Sequence, residues 1–349
     1  MQSRIDRLFC EVPKGVAVFI SGYPNIFYYS GFCSPDAFLL LTPEKRLLIT
    51  DSRYFTQAKE QSPYFEIVNI EKGWEHVFSL IVEKEICFEE TNISFGLYKR
   101  ITDSIKGKIF IASQTKIDRP RRIKDKEEIK IIAEAERIGD EAFDHILGFI
   151  QMGMSEREVA LELEMYMRRL GASGLSFETI AASGVRSCMP HGAASDKIIE
   201  KGDFLTLDFG CVYKGYCSDM TRTVVMGEAD SRQKEVYETV LAAQLAALDG
   251  LHMGISCSDA DKIARDVIAQ AGFDGKFTHA LGHSVGIEIH EKPIFSPKST
   301  DILQEGHVLS VEPGIYIEGW GGVRIEDLIA VSDGKIVNLS NSPKKLLVL

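Results

Sequence analysis

The sequence contains the stretch Lys201-Gly202-Asp203-Phe204-Leu205-Thr206-Leu207-Asp208 and, at an offset of 104, the similar stretch Glu305-Gly306-His307-Val308-Leu309-Ser310-Val311-Glu312. Each stretch opens with a charged residue and a glycine, continues as an apolar, strand-like run and ends in an acidic residue. A glycine follows each acid two positions later, at Gly210 and Gly314. Together with the two matches described next, this match indicates that the chain contains two related halves.

Two further matches lie upstream. Met152-Gly153-Met154-Ser155 resembles Met253-Gly254-Ile255-Ser256, and the helices predicted after them end at Leu170-Gly171 and Ala271-Gly272, in both cases at an offset of 101. Three matches in the same order predict that each half has two helices followed by antiparallel strands. Two such halves would combine their strands into one sheet with the helices outside, which is an α+β architecture.

The helices of the first half have clear sequence signals. Apolar residues recur at steps of three or four in the segment that contains Ile132, Ala135, Gly139, Phe143, Ile146 and Ile150, and this spacing predicts a long amphipathic helix. Ser155 and Glu158 have the spacing of a capping box at the start of the next helix. Gly171 is expected to end that helix in a left-handed conformation.

The region before about residue 117 has a different pattern, in which short β-like runs alternate with polar segments. The clearest strands are predicted at 16–21, 38–41, 46–50 and 109–112, and the segment 53–61 has the pattern of a helix. The polar segment 118–122, which contains a proline, is interpreted as a solvated linker. The expected domains are therefore a smaller α/β domain, residues 1–120, and a larger one, residues 121–349.

Composition excludes several classes of protein. The 349 residues are 45% hydrophobic, which is enough for a large core, and carry a net charge of −11, which argues against a nucleic-acid partner. No apolar run reaches the roughly 20 residues of a membrane span. The 7 cysteines are scattered without a Cys-x-x-Cys pair, a pattern typical of reduced thiols in a cytoplasmic protein.

Acidic residues at the predicted strand ends are candidates for metal ligands. Asp208 ends an apolar strand, and Asp219 lies beyond Tyr213-Lys214-Gly215, which suggests a hairpin. A turn centred on Tyr213-Lys214 would place the two aspartates directly opposite, with Cβ atoms about 5 Å apart. A turn shifted by one residue would make them near-diagonal. In either case, two such carboxylates need a proton or a cation between them.

The second half supplies matching acids. If the halves are related by a pseudo-twofold axis, Asp208 corresponds to Glu312 and Asp219 to Glu326. Four converging carboxylates carry a charge of −4, which two divalent cations would balance. Histidine is also concentrated here, since 6 of the 8 histidines lie between residues 191 and 307. The combination predicts a metal centre.

These residues and their surroundings resemble the creatinase/prolidase/aminopeptidase P/methionine aminopeptidase family. The motifs that carry the resemblance are Pro190-His191-Gly192, Gly282-His283-Ser284-Val285-Gly286, Ile289-His290-Glu291 and Val323-Arg324-Ile325-Glu326-Asp327, together with Asp208, Asp219 and Glu312. The likeness covers about residues 124 to 349. Pro24-Asn25-Ile26-Phe27-Tyr28-Tyr29-Ser30-Gly31-Phe32 also resembles the N-terminal domain of creatinase-type members.

The resemblance implies a pita-bread fold and a peptidase with two divalent metal ions. Mn²⁺ or Co²⁺ is the first expectation, with Zn²⁺ or Fe²⁺ as alternatives. By analogy, Asp208 would bind one metal ion, His283 and Glu312 the other, and Asp219 and Glu326 both. The ions would lower the pKa of a shared water that attacks a peptide carbonyl, and Glu312 would take its proton.

The resemblance also implies roles for other residues. His191 and His290 would contact the substrate, where they could stabilise the oxyanion or pass a proton to the leaving nitrogen. His279 resembles a histidine of the substrate pocket in the proline-specific branch, with a packed core histidine as the alternative. Arg324 would either steady a bridging carboxylate or bind a substrate carboxylate.

Within the family, the N-terminal domain and the spacing of the last two acids favour the Xaa–Pro branch. The expected substrate is a peptide with proline in second position, cleaved by an aminopeptidase P or a prolidase activity, and a homodimer is expected. The alternatives are a hydrolase like methionine aminopeptidase, a creatinase-like hydrolase that uses no metal, and a binding protein that keeps the fold without the chemistry.

Overall fold

The structure is a computed structural model that describes residues 2–349, with side chains described from Arg4 onward. These residues divide into two units, one that ends at Arg121 and one that runs from Arg122 to Leu349. Among these residues, the first unit has one sheet, the second has several, and each unit has its own apolar core.

The first unit contains a six-stranded mixed sheet. Its strands are β1 Ala17–Ile20, β2 Ala37–Leu41, β3 Arg46–Thr50, β4 Glu66–Asn69, β5 Glu85–Phe88 and β6 Ile109–Ala112, in the order β4-β3-β2-β1-β5-β6. Its helices are α1 Gln2–Glu11, α2 Tyr23–Ser30, α3 Phe55–Gln61, α4 Trp74–Ser79, α5 Phe95–Ser104 and α6 Gln114–Arg122. The four predicted strands are confirmed, and the helix predicted at 53–61 is a 3₁₀ turn followed by α3.

Helix α2 carries the N-terminal motif of the sequence analysis, and buried polar contacts hold it in the first unit. The amide of Gly22 donates to the Glu89 carboxylate at 2.7 Å, and the side-chain amide of Asn25 donates to the same carboxylate at 2.6 Å. A negative charge at this end of a helix is favourable because the unpaired amides point toward it. Gly31, with a φ of 77°, ends the helix. The motif therefore has a structural role within this unit.

The segment 118–122 is not the solvated linker that we predicted. It lies in α6, with Pro120 inside the helix and Arg121 buried. The hydroxyl of Tyr28 donates to the carbonyl of Pro120 at 2.9 Å, so this turn of helix packs into the first unit. Sequence composition misled us because a proline and three arginines are common in linkers. That 1–120 and 121–349 are separate domains stays a prediction.

The second unit contains two helix pairs and several short sheets. Its helices are α7 Lys126–Phe149, α8 Glu156–Arg169, α9 Ser231–Gly250 and α10 Cys257–Ile268. Its strands are β7 Gly174–Leu175, β8 Ile180–Ser183, β9 Phe204–Phe209, β10 Cys211–Tyr213, β11 Tyr216–Cys217, β12 Met220–Val225, β13 Gly282–Ser284, β14 Glu291–Phe295, β15 Val308–Val311, β16 Gly314–Ile317, β17 Gly321–Arg324, β18 Asp327–Ser332, β19 Lys335–Asn338 and β20 Leu347–Val348.

The backbone of the second unit confirms the internal repeat. Gly153 and Gly254 have φ values of 92° and 96°, and Gly202 and Gly306 have φ values of 86° and 81°. Such values favour glycine, because a Cβ atom strains this left-handed conformation. Matching glycines thus produce the same turns in both halves, before α8 and α10 and before β9 and β15.

Helix capping and strand bridges repeat in the same way. Ser155 forms the predicted capping box with Glu158 at the start of α8, and Ser256 caps α10. Isolated antiparallel bridges join Ser155 to Ile198 and Ser256 to Ile302. The order of two helices followed by antiparallel strands is therefore confirmed for both halves.

The strands of the two halves form two main sheets, which corrects the expectation of a single sheet. Their orders are β20-β12-β9-β8 and β14-β13-β15-β18-β19. Strand β12 pairs with β9 and with the edge strand β20, and β18 pairs with β15 and with the edge strand β19, so neither strand pairs with the other sheet. A repeat of the halves does not predict these edge strands, since they come from the end of the chain.

Candidate metal centre

The hairpin of the first half places the two aspartates on a diagonal. Tyr213 pairs with Tyr216, so Lys214 and Gly215 form the turn, with φ values of 47° and 84°. In the same register Asp208 pairs with Thr221. The directly opposite arrangement is therefore wrong and the shifted turn is correct, because Gly215 readily adopts the left-handed conformation that the turn requires.

Close strand contacts explain the glycines beside the site residues. A Cβ atom on Gly210 would lie 2.0 Å from the carbonyl oxygen of Ser218, and one on Gly282 would lie 1.9 Å from that of Ser310. Only glycine allows these backbones to approach so closely. Gly210 thereby keeps the hairpin of Asp208 narrow, and Gly282 brings the adjacent His283 against β15.

The five predicted ligand residues line one cavity of about 390 Å³. Carboxylate oxygens of Asp208, Asp219 and Glu326 lie within 4.8 Å of one another. The Nε2 atom of His283 lies 3.5 Å from Asp219 Oδ2 and 3.5 Å from Glu312 Oε1. Asp219 therefore belongs to two overlapping groups of side chains, one with Asp208 and Glu326 and one with His283 and Glu312.

Each carboxylate outside this overlap has a defined polar neighbour. Arg324 Nη2 donates to Asp208 Oδ2 at 2.5 Å, Thr221 Oγ1 donates to Glu326 Oε2 at 2.7 Å, and Ser310 Oγ donates to Glu312 Oε1 at 3.0 Å. The remaining oxygen of Asp208, Oδ1, is buried without a hydrogen-bond partner among the described residues. A buried acceptor without a donor is costly unless a cation binds it.

Burial raises the pKa of Asp219, Glu312 and Glu326, and repulsion from neighbouring carboxylates adds to the effect at Asp219 and Glu326. The cluster is therefore unfavourable when fully charged and without a counter-ion. Divalent cations would remove this cost, and oxygen donors of this kind suit hard or borderline metal ions. The donor set thus fits the implied metal ions.

His283 is prepared for metal binding by its other ring nitrogen. Nδ1 lies 3.3 Å from the carbonyl oxygen of Ser284, which can only accept, so the hydrogen-bond network assigns the proton to Nδ1. Burial lowers the pKa of His283, which favours the neutral ring. Nε2 is then a free electron-pair donor and faces Asp219 and Glu312.

The other histidines lie around the same cavity. His191 and His290 line it with exposed side chains. The rings of His283 and His290 are 4.4 Å apart, so His290 lies next to the ligand cluster. Burial lowers the pKa of His290. The structure thus brings both candidate catalytic histidines to the cavity of the five predicted ligand residues.

Tyr316, which our sequence analysis missed, connects His279 to Arg324. Its hydroxyl lies 2.9 Å from His279 Nε2 and accepts a hydrogen bond from Arg324 Nη1 at 2.8 Å. His279 Nδ1 lies 2.8 Å from the carbonyl oxygen of Ala280, so both ring nitrogens have partners. The only feature of the sequence that could have indicated a role for Tyr316 is its position four residues after Glu312. That His279 and Arg324 bind substrate stays a prediction.

Chelation of divalent cations is expected to destabilise the protein. Cations at about 100 times their Kd should raise the Tm by about 5–10 °C relative to protein treated with EDTA. The gap should widen with pH, because the carboxyl groups with raised pKa values hold protons at low pH and repel one another once they lose them. Calorimetry at about pH 5.5 and about pH 8 measures both effects. An equal Tm with and without cations at both pH values would contradict the metal centre.

Within residues 2–349, no helix combines the length and the apolar character that crossing a membrane requires.

Comparison with known proteins identifies the family to which the chain belongs. The model of metallopeptidase family M24 matches residues 130–333, which include all the candidate site residues, and the creatinase/prolidase N-terminal domain matches residues 14–123. The chain belongs to metallopeptidase family M24. The recognised family and the predicted fold class, a pita-bread domain preceded by a creatinase-type N-terminal domain, are confirmed. Family M24 also implies divalent metal ions, in agreement with the carboxylate cluster.

Several M24 relatives match almost the whole chain. An Xaa-Pro dipeptidase of Pyrococcus furiosus is 37% identical over 351 residues, which cover 99% of this chain and 100% of the relative. The structure of an Xaa-Pro dipeptidase from Bacillus anthracis has a TM-score of 0.96 at 40% identity, with 100% and 99% of the two chains covered. An X-Pro aminopeptidase from Thermotoga maritima has a TM-score of 0.90 at 38% identity, with 96% and 97% covered.

Proposed function

We propose that this M24 metallopeptidase hydrolyses the peptide bond before proline and uses two divalent metal ions. The observation that carries the proposal is the pair of overlapping ligand groups that share Asp219 and line one cavity. Relatives named Xaa-Pro dipeptidase and X-Pro aminopeptidase support the proline specificity.

Asp208, Asp219 and Glu326 would hold one ion, and Asp219, Glu326, His283 and Glu312 the other. Bound divalent ions polarise the scissile carbonyl and lower the pKa of a water ligand, which supplies the nucleophile. Mn²⁺ or Co²⁺ is proposed, with Zn²⁺ or Fe²⁺ as alternatives, because one histidine among carboxylates suits all four.

The remaining chemistry falls to side chains of this chain. Glu312, hydrogen-bonded by Ser310, would accept the proton of the attacking water. His191 and His290 would stabilise the developing oxyanion and protonate the leaving nitrogen. That proton matters because the nitrogen of proline leaves as a secondary amine. His279 and Arg324 are proposed to contribute to the substrate pocket, where Arg324 also holds Asp208.

An X-Pro aminopeptidase activity is a second candidate, favoured by the charges of the cavity. Arg324 is the only arginine or lysine among the described residues that line it, and its guanidinium already binds Asp208 and Tyr316. The carboxylate of a dipeptide would find no unpaired arginine or lysine among the described residues that line the cavity. Glu178 lines the same cavity with an exposed carboxylate that could pair with the substrate's free ammonium group.

An assay with three peptides tests the proposal. In the presence of Mn²⁺ or Co²⁺, the protein should cleave Ala-Pro, Ala-Pro-Ala or both, and should cleave Ala-Ala-Ala at least about tenfold more slowly in kcat/KM, which corresponds to about 1.4 kcal/mol. Faster cleavage of Ala-Pro indicates a dipeptidase, and faster cleavage of Ala-Pro-Ala an aminopeptidase. Absence of cleavage of both proline peptides would reject the proposed function.

Two further substrates, a peptide with N-terminal methionine and creatine, separate the alternative functions. A hydrolase like methionine aminopeptidase would prefer a peptide with N-terminal methionine, and a creatinase-like hydrolase would act on creatine without added metal. A binding protein without activity would cleave none of the substrates. The homodimer and the cytoplasmic location stay predictions.

A further inference from the structure

The two candidate catalytic histidines lie on equivalent loops of the two halves. His191 lies on residues 184–194, the first histidine loop, which follows β8. His290 lies on residues 285–290, the second histidine loop, which follows β13. The serines that precede the loops, Ser183 and Ser284, are 101 residues apart, which is the offset of the repeat.

The backbone of each loop must set the direction of its histidine. The side chain of His191 is exposed and makes no hydrogen bond with another described residue, and the exposed ring of His290 has its closest aromatic neighbour in His283. A catalytic group that is not held by its own contacts depends on a rigid backbone, because small displacements lower the reaction rate strongly.

A single buried carboxylate, that of Glu156, closes the first histidine loop. Oε1 accepts hydrogen bonds from the amide and the hydroxyl of Ser183, at 2.7 and 2.9 Å. Oε2 accepts from the amide and the hydroxyl of Ser195, at 3.0 and 2.6 Å, and from Arg186 Nε at 3.0 Å. Glu156 thus ties together both ends of the loop and a residue inside it.

The position of Glu156 makes this anchor rigid. It is the first residue of α8, directly after the capping serine, and is 0% exposed. Arg186 continues the network, because its Nη2 donates to the carbonyl of Ala193 at 2.6 Å, two residues after His191. Charge-assisted hydrogen bonds of this kind are stronger than neutral ones.

The second histidine loop is held by another buried carboxylate, that of Glu291. Its Oε1 accepts from the amides of Ile287 and Glu288, at 3.1 and 3.3 Å. Its Oε2 lies 3.0 Å from Lys124 Nζ, and the side chains of this ion pair are 1% and 4% exposed. Lys124 Nζ also donates to Ser284 at 2.9 Å, so the pair binds both the start and the interior of the loop.

The two halves reach this arrangement with unrelated residues. At the offset of 101, the counterpart of Glu156 is Cys257, which is buried and carries no charge at neutral pH. A lysine contacts the serine before each loop, since Lys197 Nζ donates to Ser183 as Lys124 Nζ does to Ser284, each at 2.9 Å. Each histidine loop therefore has a buried carboxylate although the repeated sequence does not place a glutamate at matching positions of the two halves.

We propose that Glu156 and Glu291 are positioning residues, which hold the loops of His191 and His290 in the geometry that catalysis requires. The proposal rests on the proposed peptidase function. Both carboxylates accept hydrogen bonds from backbone amides in or beside the loops, so the effect would pass through the loop backbone to the histidines.

Glu156→Gln and Glu291→Gln test this role, because glutamine keeps the volume but turns an NH₂ group toward backbone amides that need an acceptor. For each variant we expect a fall in kcat of about 10–100-fold, a KM within about threefold of wild type and unchanged metal content. Hydrogen exchange followed by mass spectrometry should become faster in 184–195 for the first variant and in 285–290 for the second.

Asp140→Asn is the matched control. Its carboxylate accepts from the amides of Asn341 and Ser342, a segment with no candidate site residue. Exchange should become faster there while kcat stays unchanged. If Glu156→Gln does not fold, Ser195→Ala replaces it. This variant removes only the hydroxyl donor to Glu156 and should produce a smaller effect in the same direction.

Faster exchange in a histidine loop with an unchanged kcat would overturn the proposal, and so would a loss of metal equal to the loss of activity. If the wild-type protein cleaves no Xaa–Pro peptide, the proposed function fails, whereas an active wild type with fully active glutamine variants rejects only the positioning role. The exchange measurement does not depend on activity and therefore keeps the two failures separate.

Discussion

Replacing Asp219 with asparagine is expected to lower kcat/KM for an Xaa–Pro peptide by about 1000-fold or more, while the protein stays folded. Asp219 is the residue shared by both ligand groups, so its loss weakens the binding of both ions. Metal-ion catalysis contributes several kcal/mol of transition-state stabilisation, and each 1.36 kcal/mol is about a factor of ten in rate. Steady-state kinetics with metal analysis measures the effect.

Stability separates this loss from misfolding. Burial and neighbouring carboxylates raise the pKa of Asp219, so removing its charge relieves repulsion in the metal-free protein. The Tm of metal-free Asp219→Asn should therefore equal or exceed that of metal-free wild type. Glu326→Gln is expected to behave in the same way. Near-normal turnover in either variant would show that the residue is not a bridge between metal ions.

Replacing His191 with alanine is expected to lower kcat by about 100-fold and to leave metal content near that of wild type. His191 lines the cavity, and it is not a member of either ligand group. Loss of a proton donor or of an oxyanion donor costs about two to three orders of magnitude in rate, because its contribution is made in the transition state. Stopped assays at saturating substrate measure the fall in kcat, and metal analysis measures the metal content.

His145→Ala is the control for this variant. Its ring stacks on Tyr166 at 3.9 Å and lies 2.8 Å from Glu162, and it does not line the cavity. Its kcat should stay within about twofold of wild type. If His191→Ala lost metal and activity in equal measure, His191 would be a ligand or a support of one and not a group that acts on substrate.

The acidic residues of the site could be predicted because they are placed by local rules. Asp208 and Glu312 end apolar runs that recur at a fixed offset, and a hairpin must bring Asp219 back beside Asp208. The exact pairing of the strands could not be predicted, because moving the turn by one residue changes Asp208 and Asp219 from directly opposite to diagonal neighbours. The left-handed backbone at Lys214 and Gly215 made that choice.

Side chains that support the site were beyond the sequence analysis. Glu156 lies 35 residues before His191, and Lys124 lies 160 residues before Ser284. Neither has a neighbour in the sequence that suggests its partner. Tyr316 was missed for the same reason, since His279 lies 37 residues before it and Arg324 lies 8 residues after it, and the three side chains meet only in the folded chain.

The sequence by itself determined the repeat, the helix limits and which side chains carry negative charge, because helix caps, glycine turns and alternating apolar residues act over a few positions. The tertiary structure decided how those charges meet, which strands close the sheet edges and which buried carboxylates hold the histidines. These outcomes depend on contacts between residues far apart in the chain, and such contacts form only when the chain folds.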